Sequence, residues 1–235
     1  MSVEIVFFDA GDTLLHAHPS FAELFAETCR NAGHPLEASA VEEVQKSLGA
    51  HMIEVAYESG IENPSLSYDA SRKFWTALYR LLLQKLELDE ALAEDLVEVF
   101  SDRSSYRLFD DAAPVLHELR QRGYRIGLIS NFESWLDDLL VELELGETFD
   151  VKIISAVEGI EKPDLRIYEA ALARAGVDAE AAVHVGDSVK FDIEPAERLG
   201  MYPILLDRAG RHSDGPWHTI SSLEELPAHV ENISR

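Results

Sequence analysis

The sequence predicts a doubly wound α/β fold, a parallel sheet with an all-α segment inserted after its first strand. Three observations carry this reading. Five apolar runs, Val3–Phe8, Tyr124–Ile129, Val151–Ser155, Ala182–Val185 and Tyr202–Leu206, have strand length without clear alternation, as strands buried on both faces do. Segments with helical spacing lie between the later four runs, the alternation that builds such a sheet. From roughly His16 to Ser105, helical patterns follow one another with no convincing strand.

Val3–Phe8 opens the core and ends at Asp9. The insertion then reads as four helices, Phe21–Ala32, Ala40–Tyr57, Asp69–Leu86 and Glu90–Phe100. Its aromatic residues Phe21, Phe25, Phe74, Trp75 and Tyr79 fall at helical spacing, which points to a packed core. The α/β pattern resumes near Leu108. Ala113–Gln121 places Val115, Leu116 and Leu119 on one face and stops at Gly123; Asp164–Ala175 is bracketed by Pro163 and Gly176, a start and a stop signal. The expected organisation is a core of residues 1–15 and 105–235 with a helical domain of residues 16–104.

Composition narrows the partners. Among 235 residues, 44 acidic side chains face 20 Lys and Arg, a formal net charge of −24 that repels nucleic acid and anionic membrane surfaces. No basic patch offsets it. Hydrophobic residues make up 46%, enough for a buried core. The one cysteine, Cys29, allows no internal disulfide and reads as a buried apolar residue on a helix. The N-terminal stretch carries Glu4, Asp9 and Asp12 and lacks the basic start and cleavage site of a secretory signal. No apolar run approaches the roughly 18 residues of a membrane span. The chain reads as cytoplasmic, with a small molecule as its partner; its oligomeric state is not legible.

In an open parallel sheet, ligands bind beyond the carboxyl ends of the strands. Four elements put polar groups there. Asp9-Ala10-Gly11-Asp12-Thr13 follows the first run and Ser130-Asn131 the second; Lys162-Pro163-Asp164 lies in the loop after the third; Gly186-Asp187-Ser188 follows the fourth, with Asp192 beyond. Crowded together, Asp9, Asp187 and Asp192 would raise one another's pKa values unless a cation neutralised them. An oxygen-only ligand set completed by water suits Mg²⁺. With Lys162 as a second positive charge and the hydroxyls of Thr13 and Ser130 as donors, this rim suits a phosphoryl group moving to a carboxylate nucleophile.

The segments FFDAGDTLL, LISNF, EKPD and HVGDSVKFDIEPAERLGM resemble, in order, the four motifs of the haloacid dehalogenase superfamily, and the helical insertion resembles that family's first type of cap. The resemblance covers essentially the whole chain. It implies a Rossmann-like core and a cap that closes over the site, excludes water and decides the substrate. It also implies roles for individual residues. Asp9 would be the nucleophile that forms a covalent aspartyl intermediate. Ser130 would bind the phosphoryl oxygens with Asn131 beside it, and Lys162 would neutralise nucleophile and phosphoryl charge. Mg²⁺ would be held by Asp9, Asp187, Asp192 and the backbone carbonyl of Gly11. The implied activity is hydrolysis of a small phosphorylated metabolite through an aspartyl-phosphate.

One position departs from the family. Its phosphatases carry an aspartate two residues after the nucleophile as general acid and base, help worth about 10²–10⁴-fold in rate, and here that place is Gly11. Asp12 is a candidate substitute; otherwise it would hydrogen-bond nearby backbone N–H groups as a loop residue. The family's 2-haloacid dehalogenases also lack the second aspartate, since halide leaves without a proton, but they lack the acidic pair that Asp187 and Asp192 supply. Its phosphonate hydrolases need a cap lysine for a Schiff base, and nothing distinguishes Lys46, Lys73 or Lys85. A further alternative is a degenerate, non-catalytic module that binds a phosphorylated ligand or a protein. A phosphatase with slow or unusual proton transfer stays ahead of these.

Other candidates have plainer explanations. His16-Ala17-His18 has no third ligand nearby and reads as solvated rather than zinc-binding. His184 reads as a packed, hydrogen-bonded core histidine, and Ser188 as the cap of the following turn. The acidic clusters Glu87–Glu98 and Glu142–Glu147 read as solvated helix faces.

Overall fold

Each apolar run becomes a strand of one parallel sheet in the computed structural model, which describes residues 2–48, 64–212 and 215–234. The described strands are β1 (Ile5–Phe8), β2 (Leu15–Ala17), β3 (Tyr106–Leu108), β4 (Arg125–Ser130), β5 (Val151–Ile154), β6 (Ala182–Gly186), β7 (Tyr202–Leu206) and β8 (Thr219–Ile220). Six of them form a sheet in the order β5-β4-β1-β6-β7-β8, and β2 pairs with β3. Every pairing in the larger sheet is parallel, with Phe8 opposite Leu128 on one side and Val185 on the other. All four residues of β1 are buried, which is why its sequence does not alternate. From β1 the chain builds outward to β4 and β5 on one side and to β6, β7 and β8 on the other. The strand order therefore reverses at β1, which opens a crevice at its carboxyl end.

The chain divides into two compact units, Met1–Leu15 with Leu108–Arg235, and His16–Arg107. In the first, α5 to α10 accompany the sheet, once the helices of the second are numbered α1 (Phe21–Asn31), α2 (Ala38–Leu48), α3 (Tyr68–Lys85) and α4 (Ala93–Phe100). They are α5 (Ala112–Gln121), α6 (Leu136–Glu142), α7 (Ser155–Glu158), α8 (Leu165–Ala175), α9 (Glu194–Leu199) and α10 (Leu226–Ile233). Ile5, Phe7, Ile129, Ile153, Ile167 and Tyr168 share one core cluster between sheet and helices. Asp164 caps α8 by accepting from Arg166 N–H, and Gly176 ends it in the left-handed region at φ 66.

The second unit has its own core, in which Phe25, Tyr79, Leu82, Leu83 and Leu96 are fully or almost fully buried, with Phe21 and Trp75 packed against it. Ser20 and Ser67 cap α1 and α3 by accepting from the N–H groups of Glu23 and Ala70. The helical pattern Ala40–Tyr57 corresponds to α2 over its first part; residues 49–57 lie outside the described residues. Two short strands, β2 and β3, stand at the ends of the stretch that reads as purely helical, and the short α6, α7, α9 and α10 were not legible as separate helices. Among the described residues, no helix is long and apolar enough to cross a membrane.

At the far edge of the sheet His218 Nε2 lies 2.7 Å from His229 Nδ1 of α10, so one ring donates and the other accepts. Leu205 N–H of β7 donates to the His218 carbonyl. Burial and the neighbouring His229 lower the pKa of His218. A histidine depressed by folding takes up its proton more readily in the unfolded chain. Its stabilisation is therefore present above the unfolded value of about 6.5 and is lost as pH falls through the folded value. Urea unfolding between about pH 7.5 and about pH 5 should show a steeper loss of stability for the native protein than for His218→Gln; equal slopes would contradict this.

Candidate active site

Asp9 leaves β1 at the point where strand order reverses, its N–H still bonded to Val185 O of β6 at 2.9 Å. The chain then turns back on itself. The N–H groups of Leu14 and Leu15 both donate to Ala10 O at 2.8 Å, and Asp12 N–H donates to Leu15 O at 2.7 Å. This tight turn holds Asp12 at φ 53, in the left-handed region that aspartate tolerates better than most residues. Its side chain is exposed.

Ser130 is the last residue of β4 and is 1% exposed. Asn131 reaches across to the next loop: its Nδ2 donates to Lys162 O at 2.8 Å, and its Oδ1 accepts Lys162 N–H at 2.6 Å. That paired amide contact fixes the Lys162 main chain. The lysine side chain is 2% exposed and its Nζ donates to Asp9 Oδ1 at 2.7 Å and Asp192 Oδ1 at 2.6 Å.

Asp192 belongs to a π-helical turn, Val189–Ile193, capped by Ser188, whose Oγ accepts Phe191 N–H. Asp192 Oδ2 accepts Ser188 N–H at 3.1 Å, and His184 Nε2 lies 3.1 Å from Oδ1. A carboxylate only accepts, so that bond puts the proton on His184 Nε2. Gly186 makes this arrangement possible: a Cβ there would overlap the Asp192 carboxylate.

Carboxylate oxygens of Asp9, Asp187 and Asp192 all lie within 4.8 Å of one another. Burial, together with Asp192, raises the pKa of Asp9 despite the opposing charge of Lys162. Burial, then Asp12, Asp192 and Asp9, push Asp187 well above the ordinary carboxylate range. Burial also opposes charge on Asp192, yet Lys162 and His184 outweigh it and hold that carboxyl at about 2. For Lys162 the order is the same: burial disfavours the ammonium, and Asp192 and Asp9 more than compensate, raising its pKa. One lysine thus faces several carboxylates, and an oxygen-only set of this charge fits a hard divalent cation.

The structure brings Asp9, Lys162, Asp187 and Asp192 together and ties Asn131 to Lys162 through the main chain. Thr13 is fully buried, and its Oγ1 has no hydrogen-bond partner among the described residues. A Cβ at Gly11 would meet nothing within 4 Å. His16 and His18 stand edge to face with ring centroids 6.1 Å apart, and among the described residues the one group of three or more side chains able to hold a metal is Asp9, Asp187 and Asp192. His184 is the buried, hydrogen-bonded core residue expected, but its partner Asp192, eight positions on across an irregular turn, is not legible from spacing.

Residues 3–200 match the family of haloacid dehalogenase-like hydrolases. The chain belongs to this family. It is 31% identical over 238 residues to human haloacid dehalogenase-like hydrolase domain-containing protein 3, covering 96% of this chain and 93% of that protein. It is 30% identical over 221 residues to glyceraldehyde 3-phosphate phosphatase of Methanopyrus kandleri, covering 90% and 87%. The fold is shared with the magnesium-bound HAD-hydrolase YfnB of Bacillus subtilis, with a TM-score of 0.75 at 20% identity over 98% of this chain and 99% of that one. This HAD-like hydrolase is accordingly an enzyme with phosphatases among its relatives.

Replacing Gly186 by alanine tests the packing of the site. The added methyl must displace the Asp192 carboxylate, at an overpacking cost of about 1–3 kcal/mol. Gly186→Ala should lower the unfolding midpoint measured by thermal or urea unfolding. A variant as stable as the native protein would contradict the close approach.

Proposed function

We propose that this enzyme is a Mg²⁺-dependent phosphatase that acts on a small phosphorylated metabolite through an aspartyl-phosphate at Asp9. The observation that carries the reading is the Lys162 ammonium set between Asp9 and Asp192, with Asp187 in the same carboxylate group. Displacement of halide has no use for so many carboxylates around the nucleophile, whereas phosphoryl transfer needs cationic groups on both nucleophile and phosphoryl oxygens. A relative named glyceraldehyde 3-phosphate phosphatase supports a small phosphorylated substrate, and the net charge of −24 argues against a polyanionic one.

Asp9, Asp187, Asp192 and the Gly11 carbonyl would hold Mg²⁺, which when bound supplies positive charge at the phosphoryl oxygens and lets the carboxylates remain ionised together. An Asp9 carboxylate oxygen attacks phosphorus, the phosphorus–oxygen ester bond breaks, and the leaving oxygen takes up a proton. Water then attacks the phosphorus of the aspartyl-phosphate, releasing inorganic phosphate and restoring Asp9. Lys162 favours the ionised form of Asp9 against the effect of burial and offsets the charge that builds up in both steps. Ser130 and Thr13 offer hydroxyls to the phosphoryl oxygens, and Asn131 holds Lys162 in place. Gly11 has no side chain to move the leaving-group proton. That proton comes from solvent or from Asp12, and turnover is slow for the family.

Phosphate release from a panel of phosphorylated metabolites should depend on Mg²⁺, fail in EDTA and vanish in Asp9→Asn. Gly11→Asp should raise kcat, by up to about 10²–10⁴-fold, because the backbone there is free of obstruction and the new carboxyl supplies the missing proton transfer. Silence across the panel from a folded, Mg²⁺-binding protein would overturn the phosphatase reading. A Gly11→Asp protein no faster than the native one would overturn the explanation of its slowness.

A further inference from the structure

The turn after Asp9 is held from outside by one side chain that belongs to none of the four motifs. Arg208 follows β7, at the start of a turn that Asp207 closes by accepting the N–H groups of Arg211 at 2.8 Å and His212 at 2.7 Å. Its guanidinium makes a two-pronged bond to Asp111, with Nη1 to Oδ2 and Nη2 to Oδ1 both at 2.8 Å. The guanidinium carbon stacks 3.9 Å from the centre of the Phe109 ring. The remaining reach of Nη2 goes to the backbone: it donates to Thr13 O at 3.0 Å.

Asp111 is itself fixed, since its Oδ2 also accepts Ser222 Oγ–H and Leu223 N–H, both at 3.0 Å. Burial opposes the charge on Asp111, but Arg208 and Leu223 outweigh it and keep the carboxyl below its usual range. The guanidinium is thereby clamped in plane by a carboxylate and in height by a ring, and its aim at Thr13 is set by groups outside the site. The next carbonyl along, Leu14 O, accepts Phe109 N–H at 3.0 Å. Two successive carbonyls of the turn are therefore held by the Arg208–Phe109 pair. The Thr13 hydroxyl has no partner among the described residues, so it is the main chain of Thr13, and not its side chain, that is anchored.

We infer that Arg208 is a positioning residue for the active site, fixing the Asp9–Leu15 turn, and with it Asp9 and the Gly11 carbonyl, through Thr13 O. The inference rests on the phosphatase reading for its effect on turnover and on geometry alone for its effect on the turn. Lysine keeps the charge at 208 but has neither the planar fork nor the stacking face, so it cannot satisfy Asp111, Phe109 and Thr13 at once.

The test is amide hydrogen exchange and steady-state kinetics on the full chain, comparing Arg208→Lys with the native protein. Arg122→Lys, which alters a surface ion pair with Glu118 and Glu231, is the control. Arg208→Lys should speed exchange at Asp12, Leu14 and Leu15, whose amides close the turn, and leave the β4 amides Ile126–Ser130 as in the native protein. It should lower kcat about 10–100-fold with KM little changed, the mark of a displaced reacting group. Uniformly faster exchange across turn and β4 would make Arg208 a general stabiliser and overturn the inference, as would an unchanged turn or an unchanged kcat in a loosened one. If Arg208→Lys fails to fold, Phe109→Leu removes only the stacking face and is read in the same way. Should the native protein turn over no phosphate ester, the phosphatase reading falls and the exchange pattern alone decides the role of Arg208.

Discussion

Lys162 sits 2% exposed with its ammonium 2.7 Å from Asp9 and 2.6 Å from Asp192, and the conformation of the surrounding loops follows from keeping that charge satisfied. A buried ammonium is costly unless paired and hydrogen-bonded, and breaking such a pair costs about 3–5 kcal/mol. Each partner is accordingly braced. Asn131 grips the lysine main chain, Ser188 N–H and His184 hold Asp192, and Asp9 stays in the central ladder through Val185. The lysine cannot neutralise Asp187 as well, which burial and three neighbouring carboxylates push toward protonation. That imbalance is what makes the group receptive to a divalent cation.

Where strands were buried on both faces, their apolar runs identified them directly, and the carboxylates that follow the first and fourth runs, Asp9, Asp187 and Asp192, lie close together. Parallel topology explains this legibility. Once β1, β4 and β6 are adjacent and parallel, Asp9, Ser130 and Asp187 must share one rim whatever the helices do. Lys162 needed more than topology, because it is carried by a loop, and its position depends on an amide pair with Asn131 that spacing does not encode. Helices of four to eight residues such as α6, α7 and α9 escaped because so few turns show no period. The partners of His184 and Arg208 were opaque for a different reason: one bond spans an irregular turn to Asp192 and the other joins two loops distant in sequence at Thr13, and a single sequence holds no trace of such pairings.

Gly11 stands where the resemblance to the family's phosphatases implies an aspartate. The backbone there is free of the left-handed strain that would demand glycine, and space exists for a side chain. Packing therefore does not account for the residue, and the difference is chemical. An enzyme with an intact nucleophile, lysine and carboxylate group but no adjacent acid would form its intermediate without built-in protonation of the leaving group, favouring substrates whose leaving oxygen needs little help. Such a substrate preference would follow from one missing carboxyl.

The most direct test of the account is to trap the intermediate. The enzyme, mixed with Mg²⁺ and a phosphorylated substrate and quenched in acid, is digested and its peptides weighed by mass spectrometry. The account predicts a phosphoryl group on the peptide that contains Asp9 and none in Asp9→Asn. Phosphate released in full without that adduct, a phosphoryl group on another residue, or an Asp9 ester formed only from 2-haloacids would contradict it.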